Sequence, residues 1–422
     1  MSHKQQLQNA KKASRSVALL SSEEKNTLLL SVANLLEESV EEILVENAKD
    51  MAAQEEGAMN DRLLLTPERI VNMAQEVRSV ADLPDPVGEV VDTRTRPNNL
   101  EIERIRVPLG VVGMIYESRP NVTLDAAVLC LKAGNAVVLK GGKEAVHSSR
   151  ILANIVRKAL KAHGRSPEAV QFLDPPTRSV TAELLSARGL VDVIIPRGGK
   201  GLIEFVLENA KVPVLETGAS VVHTYVDVSA NIPSALDIVM NEKIRRVSVC
   251  NALDTLLLHE GIAEFFLPLL SEQFQILSKE KGIPLVHLFV DEASHRILKS
   301  TGYSHLSFAA PKTYATEWLD YVMNIRLVLG LDEALEHIRE YSLGHSESVC
   351  AEDQVVSERF LREVDSACVY HNASTCFSDG AEFGLGAEIG ISTQKLHARG
   401  PFALEALTST KWVIRGNGQV RG

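Results

Sequence analysis

The residue best suited to nucleophilic chemistry is Cys250, which ends a short basic stretch and precedes an asparagine. The stretch reads Lys243-Ile-Arg245-Arg246-Val-Ser-Val-Cys250-Asn251. Neighbouring ammonium and guanidinium groups favour the thiolate, which is the form of cysteine that attacks an electrophilic carbon. A single cysteine near basic residues is more often structural than catalytic, so this pattern alone leaves both roles open.

The other cysteines have weaker claims to chemistry. Cys130 lies in an apolar helical run, and Cys350 and Cys368 lie in apolar, strand-like stretches, where a thiol behaves as a small hydrophobic group. The chain has 5 cysteines and no Cys-x-x-Cys pair. We therefore expect a reducing compartment, with neither a disulfide framework nor a metal site.

Two glycine-rich turns carry basic residues and are suited to holding phosphate. The string Lys140-Gly141-Gly142-Lys143 follows the apolar run Ala136–Leu139, and Arg197-Gly198-Gly199 follows Val191–Ile195 and opens a helix. Glycine lets backbone N–H groups approach a phosphate at the start of a helix, and the basic side chains add charge. Two ordinary turns between strands and helices would look the same, so both interpretations stay open here.

Several standard catalytic motifs are missing from the sequence. Gly384, Gly386 and Gly390 are spaced one residue too widely for G-x-G-x-x-G, and Gly142-Lys143 is followed by Glu144 where a P-loop needs Ser or Thr. Neither H-E-x-x-H nor G-x-S-x-G occurs. Kinase, zinc-hydrolase and serine-hydrolase functions therefore lose their main support.

The elements that must position these residues begin at Leu109, where short apolar runs alternate with helical stretches. The runs are rich in β-branched residues, which is typical of buried parallel strands. Strands are predicted at Val111–Tyr116, Ala136–Leu139, Val170–Leu173, Val191–Ile195 and Pro213–Leu215. Helices are predicted near 123–133, 145–162, 178–187 and 200–209. This alternation predicts an α/β fold whose parallel sheet is of the dinucleotide-binding type.

The rest of the chain is predicted to contain a helical start, an arm, a second α/β section and a tail strand. Residues 1 to about 85 have helical periodicity, with helix starts at Ser21–Glu24 and Thr66-Pro67. The other predicted elements are the extended segments Glu89–Arg96 and Leu100–Val107, strand Val221–Val226, helix Ile232–Ile244, strand Thr255–Leu258 and tail strand Thr408–Arg415.

Length and composition exclude several classes of protein. The chain has 422 residues, of which 45% are hydrophobic, 23% charged and 5% aromatic, and its net charge is −11. A single core usually organises no more than roughly 250–300 residues, so at least two domains are expected. An acidic chain with few aromatic residues is unsuited to binding nucleic acid. No apolar run reaches the ~18–20 residues of a membrane span, and Met1–Ser16 has no apolar signal core, so we expect a cytoplasmic protein.

Several longer strings have a more specific pattern. They are Val107-Pro-Leu-Gly-Val-Val-Gly-Met-Ile-Tyr-Glu-Ser-Arg-Pro-Asn121, Gly134-Asn-Ala-Val-Val-Leu-Lys140, Ile195-Pro-Arg-Gly-Gly199, Val249-Cys-Asn-Ala252, Asn372-Ala-Ser-Thr375 and Leu396-His-Ala-Arg-Gly-Pro401. Together they resemble the gamma-glutamyl phosphate reductase family, a divergent branch of the aldehyde dehydrogenase superfamily. The resemblance implies an aldehyde dehydrogenase-like fold, with a Rossmann-type cofactor domain, an α/β catalytic domain and a small β oligomerisation arm.

The resemblance also implies a reaction. It is the NADPH-dependent reduction of L-glutamyl 5-phosphate to L-glutamate 5-semialdehyde, with release of phosphate, in L-proline biosynthesis. Cys250 would attack the acyl phosphate and form a thioester that accepts hydride. Lys140 would bind the adenosine ribose, and Gly198-Gly199 would lie beside the pyrophosphate. From its place after the Gly141-Gly142 turn, Lys143 is either a contact to the 2′-phosphate of NADPH or an ordinary solvated turn lysine. A glutamate 5-kinase is a further expected partner.

The resemblance gives further site residues and one departure. A Glu-x-Gly element usually precedes the nucleophile by about 34 residues, and Glu216 precedes Cys250 by 34. Hydrolysis would waste the thioester, so Glu216 is expected to handle protons or support structure. The superfamily's Trp-Asn oxyanion motif is missing, and Asn121 and Asn251 are the candidate amides. The family usually has arginine where this chain has Cys376, so another group must replace that arginine if it holds substrate.

Three more residues are candidates for holding the substrate. Arg119, His397 and Arg399 could bind its phosphate or carboxylate, and each could equally be an ordinary ion-pairing or capping residue. We expect residues 1–88 and 108–220 to form the dinucleotide-binding domain and 221–395 the catalytic domain.

Residues 89–107 and 396–422 are expected to form an arm and tail that assemble a homodimer or homotetramer. A tail strand standing alone would leave an unprotected sheet edge, and in the superfamily the matching arm and tail pair across subunits. This edge is the reason to expect assembly.

Two alternatives stay open. One is another NAD(P)-dependent aldehyde dehydrogenase, either hydrolytic or CoA-acylating; the reductase-specific strings argue against it. The other is a catalytically silent binding protein; the presence of both Cys250 and Glu216 argues against that.

Overall fold

The computed structural model describes residues 2–53, 60–117 and 119–421, so Ser118 of the Glu-Ser-Arg-Pro-Asn string lies outside the described residues. The chain forms two compact units. The first unit comprises Met1–Thr217, Gly380–Gly390 and Leu396–Gly422, and the second comprises Gly218–Asp379 and Ile391–Lys395. The assignment of cofactor binding and catalysis to particular domains stays a prediction.

The first unit combines helices with two sheets. Numbered in chain order, its helices are α1 (His3–Val17), α2 (Ser22–Glu38), α3 (Val40–Ala52), α4 (Asn60–Leu63), α5 (Pro67–Asp82), α6 (Pro120–Lys132), α7 (Val146–Ala162), α8 (Arg178–Leu185) and α9 (Lys200–Asn209). Its strands are β1 (Val90–Thr95), β2 (Glu101–Pro108), β3 (Val111–Tyr116), β4 (Ala136–Lys140), β5 (Val170–Phe172), β6 (Val193–Arg197), β15 (Gly400–Pro401) and β16 (Thr408–Arg415).

The parallel sheet of the first unit has the strand order β5-β4-β3-β6. Every residue of β3 is buried, as expected for a central strand covered on both faces, and β4 is buried up to Lys140. The strands β4 and β6 both pair with β3, so the turns that follow them lie at the same edge of the sheet. This topology confirms the α/β fold predicted from the sequence.

The arm and the tail form a separate antiparallel sheet with the order β1-β2-β16. The tail strand pairs with the arm of its own chain, from Thr408 opposite Pro108 to Arg415 opposite Glu101. One edge of the tail strand is therefore covered by the arm of its own chain. Its other edge has no further strand among the described residues.

Local signals account for most of the element boundaries. Ser21 and Glu24 form a reciprocal capping box at the start of α2, and Thr66 caps α5, whose first residue is Pro67. The predicted strand Pro213–Leu215 was too long, because only a single bridge joins Val214 to Ile194. Proline has no N–H to donate, which limits the pairing of this segment.

The second unit is a seven-stranded parallel sheet with helices on both faces. Its helices are α10 (Ile232–Ile244), α11 (Glu260–Lys281), α12 (Glu292–Ser300), α13 (Pro311–Tyr314), α14 (Leu331–Tyr341) and α15 (Gln354–Glu363). The seven strands of the sheet are β7 (His223–Val226), β8 (Thr255–His259), β9 (His287–Val290), β10 (Leu306–Phe308), β11 (Val322–Val328), β12 (Ser346–Cys350) and β13 (Cys368–His371), and the short strand β14 (Ile391–Ser392) lies outside this sheet.

The strands of the second unit have the order β10-β9-β11-β8-β7-β12-β13. Alternate residues of β8 point to opposite faces: Leu256 and Leu258 pack in one core cluster with α10, α11 and α12, and Leu257 packs in the other with α14 and α15. The sheet therefore has an apolar layer on each side.

Candidate active site

Cys250 lies in the second unit, in the loop that joins α10 to β8. Its residue is half-buried, whereas the other four cysteines are buried, and none is in a disulfide. The Ser220 hydroxyl lies 2.5 Å from the Cys250 carbonyl oxygen and 2.9 Å from Glu317 Oε1. Burial raises the pKa of Glu317, and the hydrogen bonds from Ser220 oppose this shift. These contacts fix the backbone of the nucleophile.

Asn251 connects the Cys250 loop by hydrogen bonds to the region of a short 3₁₀ turn, Thr375–Phe377. Its side-chain amide donates to the carbonyl oxygens of Cys376 at 3.3 Å and Ser378 at 3.2 Å, and Thr375 Oγ1 donates to the Asn251 carbonyl at 2.8 Å. The amide hydrogens of Asn251 therefore hold backbone in this structure. A role for Asn251 as an oxyanion donor or substrate ligand stays a prediction.

Two buried side chains at the end of α10, those of Glu242 and Lys243, form hydrogen bonds that stabilise the surroundings of the Cys250 loop. The Glu242 carboxylate accepts from the Thr375 backbone N–H at 2.9 Å and from Thr224 Oγ1 at 2.7 Å, and burial raises the pKa of Glu242 to about 7. Lys243 Nζ donates to the Leu253 carbonyl at 3.0 Å, and burial lowers the pKa of Lys243 to about 8. Lys243 thus stabilises the loop through a hydrogen bond to its backbone. The position of Lys243 in the basic stretch does not predict this structural role.

Cys376 lies beside the end of α10. Its side chain is buried, and Sγ is 3.7 Å from the Asn241 carbonyl oxygen. Burial raises the pKa of the Cys376 thiol, and the neighbouring Arg245 guanidinium opposes this shift. Cys376 is therefore joined to the nucleophile loop through Asn251 and to α10 through Asn241.

The glycine turns of the first unit lie together at the carboxyl edge of its parallel sheet. Lys140 ends β4, Arg197 ends β6, and Glu117 directly follows β3 between them. Ligands of doubly wound α/β folds bind at this edge. The structure therefore brings both predicted phosphate-binding turns to one place.

The turn at the start of α9 packs closely against the Glu117 side chain. A Cβ on Gly198 would lie 2.5 Å from Glu117 Oε2 and 2.7 Å from Leu202 Cδ2, so a larger residue would require these two side chains to move. The Gly199 N–H donates to Glu117 Oε2 at 3.0 Å. The Gly199 N–H thus already donates to the Glu117 carboxylate, so the start of α9 can bind an anionic oxygen.

The turn after β4 supplies positive charge. Gly141 and Gly142 are buried, Lys140 is half-buried and Lys143 is exposed at the start of a 3₁₀ turn. Burial lowers the pKa of Lys140, and the carboxylates of Glu144 and Glu117 oppose that shift. Amide donors, a partly desolvated ammonium and an exposed ammonium together fit a dinucleotide with phosphate groups.

Arg119 and Asn121 lie at the start of α6 in the first unit. Arg119 is the N-cap residue, and the Asn121 side-chain amide donates to Asp125 Oδ2 at 3.3 Å. Burial, together with the Glu76 carboxylate, raises the pKa of Asp125 to about 7, and the hydrogen bond from Asn121 and the charge of Arg197 oppose this shift. Asn121 therefore donates to a buried carboxyl group whose pKa is raised.

His397 and Arg399 line a cavity of 570 Å³ in the first unit, together with Arg106 and Glu405. The Arg106 guanidinium pairs with Glu405 at 2.7 Å, and His397 Nε2 lies 2.7 Å from the Ala406 carbonyl oxygen. The structure thus brings these two candidates together. Their roles toward substrate stay predictions.

The site residues divide between the units. Glu216 and Asn121 belong to the first unit, as do the glycine turns, whereas Cys250 and Asn251 belong to the second. The sequence interpretation missed Glu117, Ser220 and Glu317. Glu117 stands in the reductase-specific string, which was its only signal, and the other two have no signal because distant chain segments bring them to Cys250.

Within the part of the chain that the structure describes, no helix is long and apolar enough to cross a membrane. Among the same residues, no group of three or more His, Cys, Asp or Glu side chains could hold a metal ion.

Comparisons with known proteins agree on one family. The model of the aldehyde dehydrogenase family matches residues 2–284. Gamma-glutamyl phosphate reductase of Carboxydothermus hydrogenoformans is 50% identical over 420 residues, covering 98% of each chain. The enzyme of that name from Legionella pneumophila is 48% identical over 418 residues, covering 99% of this chain and 98% of its own. The crystal structure of gamma-glutamyl phosphate reductase from Thermotoga maritima is 40% identical, covers 99% of both chains and superposes with a TM-score of 0.94.

Proposed function

The chain belongs to the gamma-glutamyl phosphate reductase branch of the aldehyde dehydrogenase family, and from this premise we propose the reaction it catalyses. The reaction is the NADPH-dependent reduction of L-glutamyl 5-phosphate to L-glutamate 5-semialdehyde, with release of phosphate, in L-proline biosynthesis. The observation that carries the proposal is 50% identity over nearly the whole length to a curated reductase. A hydrolytic or CoA-acylating dehydrogenase and a silent binding protein are correspondingly disfavoured.

The first step is acyl transfer to Cys250. The thiolate attacks the acyl carbon of the substrate, the carbon–oxygen bond to phosphate breaks, and a γ-glutamyl thioester forms. The contacts of Ser220 and Asn251 hold the loop so that the sulfur approaches from a fixed direction. Fixed geometry of this kind lowers the entropic cost of the attack.

The second step is reduction of the thioester. When bound, the nicotinamide cofactor supplies a hydride to the thioester carbonyl. The Cys250 backbone N–H is the chain's candidate donor to the developing oxyanion, with Asn121 as a candidate side-chain amide. Collapse of the tetrahedral species releases the aldehyde and restores the Cys250 thiolate.

For the cofactor we assign the carboxyl edge of the first unit's sheet. Lys140 would bind the adenosine ribose, the backbone of Gly198-Gly199 would hold the pyrophosphate, and Lys143 would contact the 2′-phosphate. The glycine fit at Gly198 and the exposed ammonium of Lys143 support this assignment. Glu117 must release the Gly199 N–H when a phosphate binds there.

The deciding experiment runs the reaction in reverse. Glutamate 5-semialdehyde and NADP⁺ are supplied with and without inorganic phosphate, and NADPH is followed by its absorbance. We expect NADPH to form only when phosphate is present, because phosphate must release the acyl group from Cys250. Formation of NADPH at the same rate without phosphate would favour the hydrolytic alternative, and a requirement for CoA would favour the acylating one.

Three expectations about the protein's surroundings stay predictions. They are a cytoplasmic location, a homodimer or homotetramer, and coupling to a glutamate 5-kinase. Assembly is supported by the uncovered edge of the tail strand, where Trp412 and Ile414 are exposed apolar side chains.

A further inference from the structure

Arg245 presents an exposed guanidinium at the end of α10, five residues before Cys250. Within residues 2–53, 60–117 and 119–421, no carboxylate forms an ion pair with it. Most of the arginines that do form ion pairs here hold a carboxylate within 3.0 Å, as Arg326 holds Glu333. The Arg245 guanidinium is therefore available to an anion that is not part of the protein.

The surroundings of Arg245 give its position. Its backbone N–H donates to the Asn241 carbonyl at 3.2 Å, and Cys376 Sγ lies 3.7 Å from the same carbonyl oxygen. The charge of the Arg245 guanidinium opposes the rise in the pKa of the Cys376 thiol that burial causes. Arg245 and Cys376 are thus neighbours, because the Arg245 backbone N–H and the Cys376 thiol share the Asn241 carbonyl as acceptor.

The same cluster is joined to the nucleophile. Asn251, the residue after Cys250, binds the Cys376 carbonyl at 3.3 Å, and Ser374 Oγ donates to Asn241 Oδ1 at 2.8 Å. The end of α10, the nucleophile loop and the turn Thr375–Phe377 therefore form one hydrogen-bonded assembly. Arg245 belongs to this assembly through its backbone hydrogen bond to Asn241.

The proposed substrate carries a second anion that a guanidinium beside the nucleophile loop could bind. Its acyl phosphate must lie at Cys250 Sγ, and its α-carboxylate lies at the opposite end of the glutamyl chain. A guanidinium binds a carboxylate through two parallel hydrogen bonds, which fixes orientation as well as charge. The resembled family usually has arginine at position 376, where this chain has cysteine, so a guanidinium is missing there and is present at Arg245.

We propose that Arg245 is the specificity-determining residue that binds the substrate's α-carboxylate, in place of an arginine at position 376. The inference rests on the proposed function. Arg245 selects an aldehyde that carries a carboxylate and keeps the thioester aligned after phosphate has left.

The test uses Arg245→Gln in the full-length enzyme, in the reverse direction. We expect KM for glutamate 5-semialdehyde to rise about ten- to a hundredfold, because one charge-assisted contact is lost. KM for phosphate and for NADP⁺ should stay within about twofold, and kcat should change less than KM. Arg296→Gln is the matched control, because Arg296 is also exposed and lies on α12 of the same unit.

Two further measurements separate specificity from a structural effect. Butanal lacks the carboxylate, so its KM should be equal in wild type and Arg245→Gln. The double variant Arg245→Gln/Cys376→Arg should recover part of the lost affinity for glutamate 5-semialdehyde, because it places a guanidinium at the neighbouring residue 376. Recovery of this kind would support the proposal.

The proposal fails if KM for glutamate 5-semialdehyde is unchanged in Arg245→Gln. It also fails if KM for phosphate rises instead, because Arg245 would then bind the leaving group. Failure of the proposed function itself would be visible in the wild type alone, as turnover that does not depend on phosphate.

Discussion

Exposure separates Cys250 from the other cysteines at the level of single residues. Cys130 and Cys350 are almost completely buried, and burial raises the pKa of both thiols. A buried neutral thiol is a poor nucleophile, whereas the half-buried Cys250 is accessible to substrate and reagents. Chemical reactivity should therefore be concentrated at one sulfur.

Replacement of Cys250 by serine should abolish turnover and leave the fold intact. A serine hydroxyl has a pKa far above that of a thiol, and an ester accepts hydride less readily than a thioester. We expect phosphate-dependent activity to fall by more than about a hundredfold with an unchanged melting temperature. Cys350→Ala is the control, with full activity and a loss of about 1–2 kcal/mol in stability. A Cys250→Ser enzyme that kept more than about a hundredth of the activity would rule out the thioester.

Replacement of Lys143 by alanine should weaken the preference for NADPH over NADH. A single ammonium–phosphate contact corresponds to roughly ten- to hundredfold discrimination. Dissociation constants for both cofactors, measured by fluorescence titration, give the ratio without catalysis. Lys158→Ala is the control, because Lys158 is an exposed lysine on α7 of the same unit. An unchanged ratio in Lys143→Ala would mean that Lys143 is only a solvated turn residue.

At the level of elements, the end of α10 positions the nucleophile through buried polar side chains. Glu242 links this helix to β7 through Thr224 and to the turn Thr375–Phe377 through a backbone N–H. An ionised carboxylate at this position loses hydration, and these two hydrogen bonds replace only part of it. The stability of this junction should therefore depend on pH.

Glu242→Gln should change the pH dependence of stability in a defined direction. Burial raises the pKa of Glu242 from 4.5 to about 7, so the folded protein binds more protons than the unfolded chain between those values. The stability that Glu242 contributes is present below pH 4.5 and is lost as the pH rises through 7. Glutamine cannot ionise, so the variant should gain on wild type by up to roughly 3 kcal/mol between pH 5 and pH 8.

Urea unfolding at both pH values measures this difference. Glu336→Gln on the exposed side of α14 should show no such gain. A difference between Glu242→Gln and wild type that is the same at pH 5 and pH 8 would contradict the assignment.

The bounds of helices and strands were predictable from the sequence where local residues mark the ends of the element. They were less predictable where pairing with another strand decides where the element begins. Helix α10 and strands β3 and β16 have the predicted bounds, because capping residues, glycine and β-branched runs mark their ends. Strand β6 begins two residues later than predicted, because its pairing with β3 starts at Val193. Cys250 and the glycine turns were identified from residue type and spacing. The contacts of Lys243 and Ser220 were not predicted: Lys243 turns inward to the Leu253 carbonyl of the same loop, and the partners of Ser220 lie in other segments of the chain.

At the level of the whole molecule, the three-stranded sheet is expected to assemble copies of the chain. Val90, Trp412 and Ile414 are exposed apolar side chains on its outer strands. An uncovered strand with apolar side chains favours pairing with another copy. Light scattering at micromolar concentration should give a dimer or a larger assembly, and Ile414→Lys should shift the mass toward the monomer. A wild-type monomer with full activity would contradict the expectation.

The pairing of the tail strand with β2 has a consequence for synthesis on the ribosome. Arg106 and Thr408 are hydrogen-bonded neighbours although 302 positions separate them, and the second unit is inserted between parts of the first. The N-terminal part of the first unit therefore emerges early and must wait for the whole second unit before its last strand arrives. During that interval one edge of β2 is unpaired and exposed to other nascent chains. The tail strand thus acts as the final closure of the newly made chain, and a ribosome that stops before residue 408 releases a product with an open sheet edge.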